Sequence, residues 1–261
     1  MRMLSVDRQA QLLARLREDG QVSVDVLARD LGVTQSTIRR DLTRLATDGA
    51  LVRTYGGAAV SAATASPRAA PDARLTAKRA IAAAAAALVE DGQTIAISSG
   101  TTTLELARLL AGRRLTVITN ALDVAGLLLD RPGIDLIVLG GVVRPGMHST
   151  LGHLAELALG ELRADALFMG IGAVSAEQGF MNDSIPEILT DRALRRAART
   201  CFVLADASKL GSVAPAFVFE LDHVDTLVTD ADADPLEVAA LEARGLHVLV
   251  APITERSLPT P

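Results

Sequence analysis

Apolar residues recur every three or four positions in three segments near the start of the chain, and this spacing predicts three helices. The helices cover residues 6–19, 24–31 and 35–47. Glycine follows each of them within two residues, as is common where a helix ends in a left-handed residue. A short extended piece at residues 22–24 and a two-stranded turn, or wing, at residues 51–57 complete a small N-terminal domain.

The segment that follows has no periodicity and is rich in alanine, serine, threonine and proline, which is typical of a linker. The length of 261 residues suits two domains, because one domain usually has about 100 to 150 residues. We therefore expect an N-terminal domain over residues 1–57, a linker over 58–76, a second domain over 77–253 and a tail over 254–261.

Helical segments and short strands rich in β-branched residues alternate through the second domain. The predicted helices are 78–90, 102–110, 121–130, 154–162, 186–199 and 235–243. The predicted strands are 94–98, 116–119, 135–139, 166–169, 201–205, 226–229 and 247–250. This order predicts an α/β fold in which helices cover both faces of a mainly parallel sheet. In such sheets ligands bind at the carboxyl ends of the strands.

The net charge of −5 hides an asymmetry between the two domains. Residues 1–57 hold nine arginines and seven acidic residues, whereas the remainder holds 17 basic and 24 acidic residues. Only the N-terminal domain is therefore suited electrostatically to a nucleic-acid backbone. The chain has 24 arginines and only two lysines, Lys78 and Lys209, so a lysine departs from its background.

Two further features concern the environment of the protein. The chain has no uninterrupted apolar run of roughly 20 residues and no signal-peptide pattern, so we expect a cytoplasmic protein. Its single cysteine, Cys201, lies in an apolar run. We expect this thiol in the core, with neither a disulfide partner nor a metal.

The helix at 35–47 has one apolar stripe and one hydrogen-bonding face. Ile38, Leu42 and Leu45 lie at positions i, i+4 and i+7, so they face the core. The opposite face fits the major groove of DNA, where arginine can pair with guanine and hydroxyls reach phosphates or base edges. The alternative is the solvated face of a surface helix. The candidate DNA contacts, with those of the wing, are Thr34, Gln35, Ser36, Thr37, Arg39, Arg40, Thr43, Arg44, Arg53 and Tyr55.

The sequence Ser-Ser-Gly-Thr-Thr-Thr at residues 98–103 lies between a predicted strand and an amphipathic helix. Gly100 allows the backbone to approach a ligand closely, and the first amides and the dipole of the helix favour an anion. These features indicate a phosphate-binding loop. The alternative is a serine/threonine helix cap that binds no ligand.

Polar residues and glycines also follow the other predicted strands, and loops that converge at one edge of a sheet favour a binding site. Lys209 is the most informative, because a compact cation at a strand end would complement a phosphate or a carboxylate. The alternative is a solvent-exposed loop lysine. The candidate residues for binding a small effector are Ser98, Ser99, Gly100, Thr101, Thr102, Thr119, Asn120, Gly140, Gly141, Gly170, Asp206 and Lys209.

Two parts of the chain resemble one known family. Residues 33–42, Val-Thr-Gln-Ser-Thr-Ile-Arg-Arg-Asp-Leu, and residues 53–58, Arg-Thr-Tyr-Gly-Gly-Ala, closely resemble the winged helix-turn-helix of DeoR-family regulators. Tyr55 stands where that family usually has histidine. The order Ser-Gly-Thr-Thr, Thr-Asn, Leu-Gly-Gly and Asp-Ala-Ser-Lys over residues 78–250 resembles the sensor domain of the same family. Asp191 stands where relatives commonly have lysine.

The resemblance implies a sensor fold related to ribose-phosphate isomerases and CoA transferases. It also implies small effectors that are usually sugar phosphates or phosphorylated catabolic intermediates. We therefore expect a sequence-specific transcription regulator, a repressor of carbohydrate or related catabolic genes. Because one small basic module offers few phosphate contacts, we expect it to bind repeated half-sites as a homo-oligomer, a dimer or tetramer.

One alternative is an isomerase or transferase of sugar phosphates with an attached DNA-binding domain. Such an enzyme needs an acid–base group beside the phosphate loop, and the segments at 98–103 and 140–144 contain none. His148 and His153 do not share a helical face, and no nucleotide-binding, zinc or nucleophile-elbow motif occurs. We therefore expect no catalytic residue, metal or cofactor. The size of the second domain disfavours a third alternative, an architectural DNA-binding protein without a ligand.

Overall fold

The computed structural model describes residues 21–31, 33–47, 52–54, 57–59, 74–144 and 146–252. The chain divides into two compact units between Ala73 and Arg74. The helix predicted at residues 6–19 and the predicted tail at 254–261 lie outside the described residues.

The described part of the N-terminal unit contains two helices and three short strands. The strands are β1 (Gln21–Ser23), β2 (Val52–Thr54) and β3 (Gly57–Ala59), and the helices are α1 (Val24–Asp30) and α2 (Gln35–Thr47). β3 pairs antiparallel with both β1 and β2. The predicted helices at 24–31 and 35–47 and the two-stranded wing are confirmed. β3 includes Ala58 and Ala59, which the sequence pattern had assigned to the start of the linker.

α2 packs through the apolar stripe that its sequence predicts. Ile38, Leu42 and Leu45 are buried, with exposed fractions of 0%, 1% and 6%, and Leu27 of α1 is buried as well. Thr34 fixes the start of α2, because its Oγ1 accepts a hydrogen bond from the Thr37 amide at 3.3 Å. The position of the stripe therefore turns the opposite face of α2 away from the core.

A parallel sheet forms the centre of the C-terminal unit. Its strands are β4 (Thr94–Ile97), β5 (Leu115–Thr119), β6 (Ile134–Val138), β9 (Ala164–Gly170), β12 (Ala198–Leu204), β14 (Thr226–Asp230) and β15 (His247–Ala251). Their spatial order is β15-β14-β12-β9-β4-β5-β6, and every neighbouring pair is parallel. The helices are α3 (Leu75–Ala86), α4 (Thr101–Leu110), α5 (Leu122–Leu128), α6 (His153–Glu161), α7 (Ile188–Ala197) and α8 (Pro235–Ala243). The predicted α/β fold is confirmed.

Alternate residues of the central strands pack into two apolar clusters, because successive side chains of a strand point to opposite faces. On β9, Leu167 and Met169 belong to the first cluster, and Phe168 belongs to the second. Residues of α6, α7 and α8 complete the first cluster, whereas residues of α3, α4 and α5 complete the second. Helices therefore cover both faces of the sheet, as the alternation of elements predicts.

Two smaller sheets were not predicted. β7 (Val142–Arg144) and β8 (Ser149–Leu151) form an antiparallel hairpin. The strands β10 (Ala173–Ser175), β11 (Gly179–Asn182) and β13 (Ala216–Phe219) form an antiparallel sheet. The sequence predicts no strand in these five segments, because each has only three or four residues and lies outside the regular alternation of helices and strands.

The predicted helix over residues 186–199 is wrong at both ends. Ile185–Glu187 form a 3-10 turn, α7 follows it, and Ala198 and Arg199 already belong to β12. Ala198 pairs with Ala164 of β9, so pairing with the sheet overrides the helical pattern. The helix predicted at 78–90 is α3, which begins three residues earlier, inside the predicted linker, and ends at Ala86.

Candidate functional site

The outer face of α2 carries several of the predicted DNA-contacting groups. The exposed side chains are Thr34, Gln35, Ser36, Arg40 and Thr43. Thr37 is half-buried, and its hydroxyl forms a 2.9 Å hydrogen bond with the Thr34 hydroxyl. The side chains of four other predicted contacts lie outside the described part of the chain, and these are Arg39, Arg44, Arg53 and Tyr55.

The predicted phosphate-binding loop joins β4 to α4. Gly100 has a φ of +146°, and its carbonyl accepts hydrogen bonds from the Leu104 amide and the Thr103 hydroxyl, both at 3.0 Å. Within the described residues no side chain caps the amino terminus of α4. The serine/threonine cap that competed with ligand binding in the sequence is therefore not formed. The first amides of α4 remain available to an anion.

Ser98 and Thr119 join the ends of neighbouring strands. The Ser98 Oγ accepts a hydrogen bond from the Gly170 amide at 3.1 Å, which connects the ends of β4 and β9. The Thr119 Oγ1 donates to the Ile97 carbonyl at 2.7 Å and accepts from the Ala121 amide at 3.0 Å. Ser98 and Thr119 are both buried. Their hydroxyls therefore position the loops through bonds to the backbone.

Asn120 follows β5 and is 4% exposed. The side-chain Nδ2 of Asn120 donates to the Thr150 carbonyl at 3.0 Å, and the backbone carbonyl of Asn120 accepts from the Thr150 amide at 2.8 Å. The side-chain oxygen Oδ1 is buried and has no hydrogen-bond partner among the described residues. Because a buried acceptor without a donor is costly, Oδ1 is suited to accept a hydrogen bond from a ligand.

The two glycines after β6 have different surroundings. A Cβ on Gly140 would meet nothing within 4 Å, whereas a Cβ on Gly141 would lie 2.5 Å from the Leu151 carbonyl oxygen. Gly141 also has a φ of +144°, which other residues rarely adopt. The close approach of β8 therefore accounts for glycine at position 141 without a ligand.

The loop after β12 ends in a 3-10 turn, Ala207–Lys209. Asp206 is 3% exposed, and its Oδ1 accepts hydrogen bonds from the Ser208 amide at 3.2 Å and the Ser208 hydroxyl at 2.5 Å. The same oxygen lies 3.7 Å from the Arg74 guanidinium. Lys209 is half-buried, and its ammonium group forms neither a hydrogen bond nor an ion pair with any described residue. This cation is therefore suited to an anionic ligand.

The parallel order of β12, β9, β4 and β5 brings these loops to one edge of the sheet, which we call the carboxyl edge. Several polar groups at this edge have no partner among the described residues. They are the hydroxyls of Ser99 and Thr101, the first amides of α4, the Asn120 Oδ1 and the Lys209 ammonium. Most of these groups are hydrogen-bond donors, which is the set that a phosphate requires.

A polar cluster that the sequence did not predict lies beside the carboxyl edge. The Asn182 Oδ1 accepts from the Gly172 amide and its Nδ2 donates to the Asp191 Oδ2, each at 2.8 Å. Glu187 forms a 2.6 Å ion pair with Arg144. We call Arg144, Asn182, Glu187 and Asp191 the Asp191 cluster. Its members come from β7, β11, a 3-10 turn and α7, so no local spacing in the sequence reveals it.

Asp191 is only 8% exposed, and its pKa departs strongly from that of a carboxyl in water. Burial is the main cause that raises the pKa of Asp191 to about 7, and the negative charge of Glu187 adds to this effect. The hydrogen bond from Asn182 and the positive charge of Arg144 act in the opposite direction. A carboxyl that titrates near neutrality therefore lies beside the carboxyl edge, and the sequence pattern does not predict it.

A separate cavity of about 510 Å³ lies at the amino edge of the sheet, opposite the carboxyl edge. None of the predicted effector-binding residues lines it. The lining residues are Thr94, Arg163, Ala164, Asp165, Arg196, Ala197, Ala198 and Arg199. Its three arginines make this cavity a rival location for an anion.

Three other findings bear on the class of site. No helix among the described residues is long and apolar enough to cross a membrane. The same residues contain no group of three or more histidine, cysteine, aspartate or glutamate side chains that could hold a metal ion. Cys201 is fully buried, as predicted, and burial raises its pKa to about 12. Its thiol is therefore protonated at neutral pH and is part of the core.

Asp191→Asn should weaken the pH dependence of stability. A carboxyl with a pKa of about 7 when folded and ~3.9 when unfolded binds more protons in the folded state, so wild-type stability should fall between these pH values. Asparagine still accepts from Asn182 and never ionises. Relative to wild type, the variant should therefore gain on the order of 1 to 3 kcal/mol between about pH 4.5 and about pH 8 in urea unfolding. The exposed neighbour Asp183→Asn is the control, and identical profiles for the two variants would contradict the assignment.

Two protein-family models match the chain, one in each of its two units. Residues 73–231 match the DeoR C-terminal sensor domain, and residues 8–64 match the DeoR-like helix-turn-helix domain. The repressor CsqR of Escherichia coli K12 is 33% identical over 91% of this chain and 90% of its own length. The regulator GolR of Listeria innocua is 31% identical over 95% of this chain and 100% of its own length. Ribose 5-phosphate isomerase A of Methanocaldococcus jannaschii aligns with a TM-score of 0.38 and 20% identity, over 51% of this chain and 52% of its own, which is too distant to support an inference. The chain belongs to the DeoR family of transcription regulators.

Proposed function

We propose that this DeoR-family regulator represses carbohydrate or related catabolic genes and that a small phosphorylated metabolite controls its binding to DNA. The observation that carries the proposal is the set of unpartnered donors at the carboxyl edge of the sheet. An unpaired ammonium and the open amides of a helix both lie at this edge, and both favour a doubly charged anion.

The phosphate would bind at the start of α4. The amides of Thr101 and Thr102 and the hydroxyls of Ser99 and Thr101 supply neutral donors, and the dipole of α4 favours the negative charge. Lys209 would supply the cation from the loop after β12, which is two strands away from β4 in the sheet. Hydrogen bonds between charged groups are roughly twice as strong as neutral ones, so Lys209 has the largest part in this recognition.

Other candidate residues would act by holding the loops in place. Ser98 ties β4 to Gly170, Thr119 ties β5 to β4, and Asp206 orders the turn that presents Lys209. Such supporting residues matter because a binding constellation must be held within a fraction of an ångström of its productive geometry. Their replacement should therefore weaken effector binding indirectly.

In the N-terminal unit, α2 would enter the major groove. Arg40 and Ser36 lie on its exposed face, opposite the buried stripe, and Arg40 is suited to a bidentate contact with guanine. The arginines at 39, 44 and 53 and Tyr55 would contact the phosphate backbone. A homo-oligomer on repeated half-sites would supply the phosphate contacts that one module lacks.

One observation favours the alternative of a sugar-phosphate enzyme. Asp191 has a pKa near neutrality, as a general acid or base requires, and it lies beside the carboxyl edge of the sheet. Against this alternative, one of its oxygens is held by Asn182, and the full-length relatives compared above are transcription regulators. Incubation with ribose 5-phosphate or glucose 6-phosphate should therefore leave both sugars unchanged.

Arg40→Ala should separate base readout from backbone contact. We expect it to cost on the order of 1 to 3 kcal/mol on a high-affinity site selected from random DNA, and far less on unselected DNA, as for a base contact. Arg53→Ala in the wing should weaken binding to both DNAs alike. Fluorescence anisotropy at fixed salt measures all four affinities. Equal losses on both DNAs for both variants would show that the outward face of α2 is not the reading face.

Lys209→Met should weaken the binding of phosphorylated ligands. Loss of one charge-assisted contact should cost about tenfold or more in affinity for whichever of glucose 6-phosphate, ribose 5-phosphate and dihydroxyacetone phosphate binds best. Calorimetric titration measures this loss. The affinity for DNA without effector should stay nearly unchanged, because Lys209 lies in the other unit.

The control for Lys209 is Arg131→Met, which removes an exposed cation at the amino edge of the sheet and should leave effector affinity as in wild type. If an uncharged sugar bound as tightly as its phosphate, or if Lys209→Met bound the phosphate with unchanged affinity, the proposed site would be wrong.

A further inference from the structure

The Asp191 cluster is connected to the proposed phosphate site through short hydrogen bonds. Gly170 donates to Ser98 at 3.1 Å, and Gly172, two residues further along the chain, donates to the Asn182 Oδ1 at 2.8 Å. The amide of Asn182 then donates to Asp191. The side chain of Asn182 therefore connects Asp191 to the backbone at Gly172. Two residues earlier, at Gly170, the same backbone contacts Ser98 of the phosphate loop.

Among the described residues no cation forms an ion pair with Asp191, although a buried carboxylate normally has one. Arg144 is the cation in the cluster, and its 2.6 Å ion pair commits it to Glu187. The Ser149 hydroxyl also donates to Glu187, at 3.3 Å. Asp191 receives one neutral hydrogen bond, from Asn182, and no described residue donates to its second oxygen, Oδ1. The cluster therefore holds two carboxyls and one cation.

A second acceptor without a donor lies close by. Asn120 is bonded through Nδ2 to Thr150, and its buried Oδ1 has no partner among the described residues. Thr150 is next to Ser149, which bonds to Glu187, so the short strand β8 joins Asn120 to the Asp191 cluster. At the carboxyl edge, Asn120 and Asp191 therefore offer acceptor oxygens, whereas Lys209 and the start of α4 offer donors.

Donors of the protein bind acceptors of a ligand, and acceptors of the protein bind donors. The ligand should therefore carry a hydrogen-bond donor as well as the acceptor oxygens of a phosphate. We propose that the effector carries a protonated amine as well as its phosphate, and that Asp191 binds the amine. An ammonium group has three donors and no acceptor, so it satisfies the free oxygen of Asp191 and compensates its buried charge. A hydroxyl would leave that charge uncompensated. The inference rests on the proposed function, because it assigns the second end of the same ligand.

The raised pKa of Asp191 should make the preference for an amine depend on pH. Glu187 and Arg144 are the charged groups that act on Asp191, and the carboxyl titrates near pH 7. An amine stays protonated below about pH 7.5, so its binding should strengthen as Asp191 ionises. A phosphorylated compound and its amino counterpart share the titration of the phosphate, which therefore cancels in the ratio of their affinities.

The test is calorimetric titration of the full-length protein with matched pairs that differ only in the replacement of a hydroxyl by an amine. The pairs are glucose 6-phosphate with glucosamine 6-phosphate, galactose 6-phosphate with galactosamine 6-phosphate, and 2-hydroxyethyl phosphate with ethanolamine phosphate. In wild type, we expect at least one amine to bind about tenfold or more tightly than its hydroxyl partner, with a ratio that rises from about pH 5.5 to about pH 7.5. In Asp191→Asn the ratio should fall below about threefold and lose its pH dependence.

Asp183→Asn is the matched control, because it removes an exposed carboxylate next to Asn182 and should keep the wild-type ratio. If hydroxyl members bind through Lys209 and no pair prefers the amine, the inference fails and the proposed function stands. If the preference persists in Asp191→Asn, the amine is bound elsewhere and the inference is likewise wrong. If no phosphorylated compound binds, or binding ignores Lys209, both the proposed function and the inference are overturned.

Discussion

Parallel hydrogen bonding of β4 with β5 and β9 determines which residues of the sensor unit can meet. Ile97 pairs with both Thr119 and Phe168, so the loops after three strands leave the sheet at the same level. The bond from Gly170 to Ser98 spans 72 residues of sequence and exists only because these strands run in the same direction. The start of α4, Asn120 and the backbone at Gly170 all depend on this alignment. A sheet with one of these strands reversed would send its loop to the opposite edge.

At the carboxyl edge, the polar side chains divide into those that hold the backbone and those that remain available. Ser98, Thr119 and Asp206 are buried and form hydrogen bonds with neighbouring groups, so they stabilise the loops. The Lys209 ammonium and the Asn120 Oδ1 have no hydrogen-bond partner among the described residues. A group that lacks a partner in the folded chain loses solvation without compensation, and a ligand can supply the missing bond. In the proposed site, different residues of the same loops would therefore provide stability and recognition.

Local patterns in the sequence predicted what local forces determine. The stripe of Ile38, Leu42 and Leu45 gave the packing of α2, and the alternation of elements gave the parallel sheet, because both follow from periodicity. The contacts around Asp191 come from four separate elements, so only the tertiary fold brings them together. The role of Gly141 depends on its distance from β8, which is equally non-local. The residues proposed to contact DNA and effector stay predictions from pattern and placement.

The location of the anion site can be measured directly by amide hydrogen exchange with and without the sugar phosphate that binds most tightly. Binding at the carboxyl edge should slow exchange at the start of α4 and in the turn Ala207–Lys209, because the ligand would accept hydrogen bonds from these amides or order them. Exchange around Arg163 and Arg199, in the arginine-lined cavity at the amino edge, should not change. Protection confined to that cavity, with none at α4 or Lys209, would contradict the proposed mode of effector recognition.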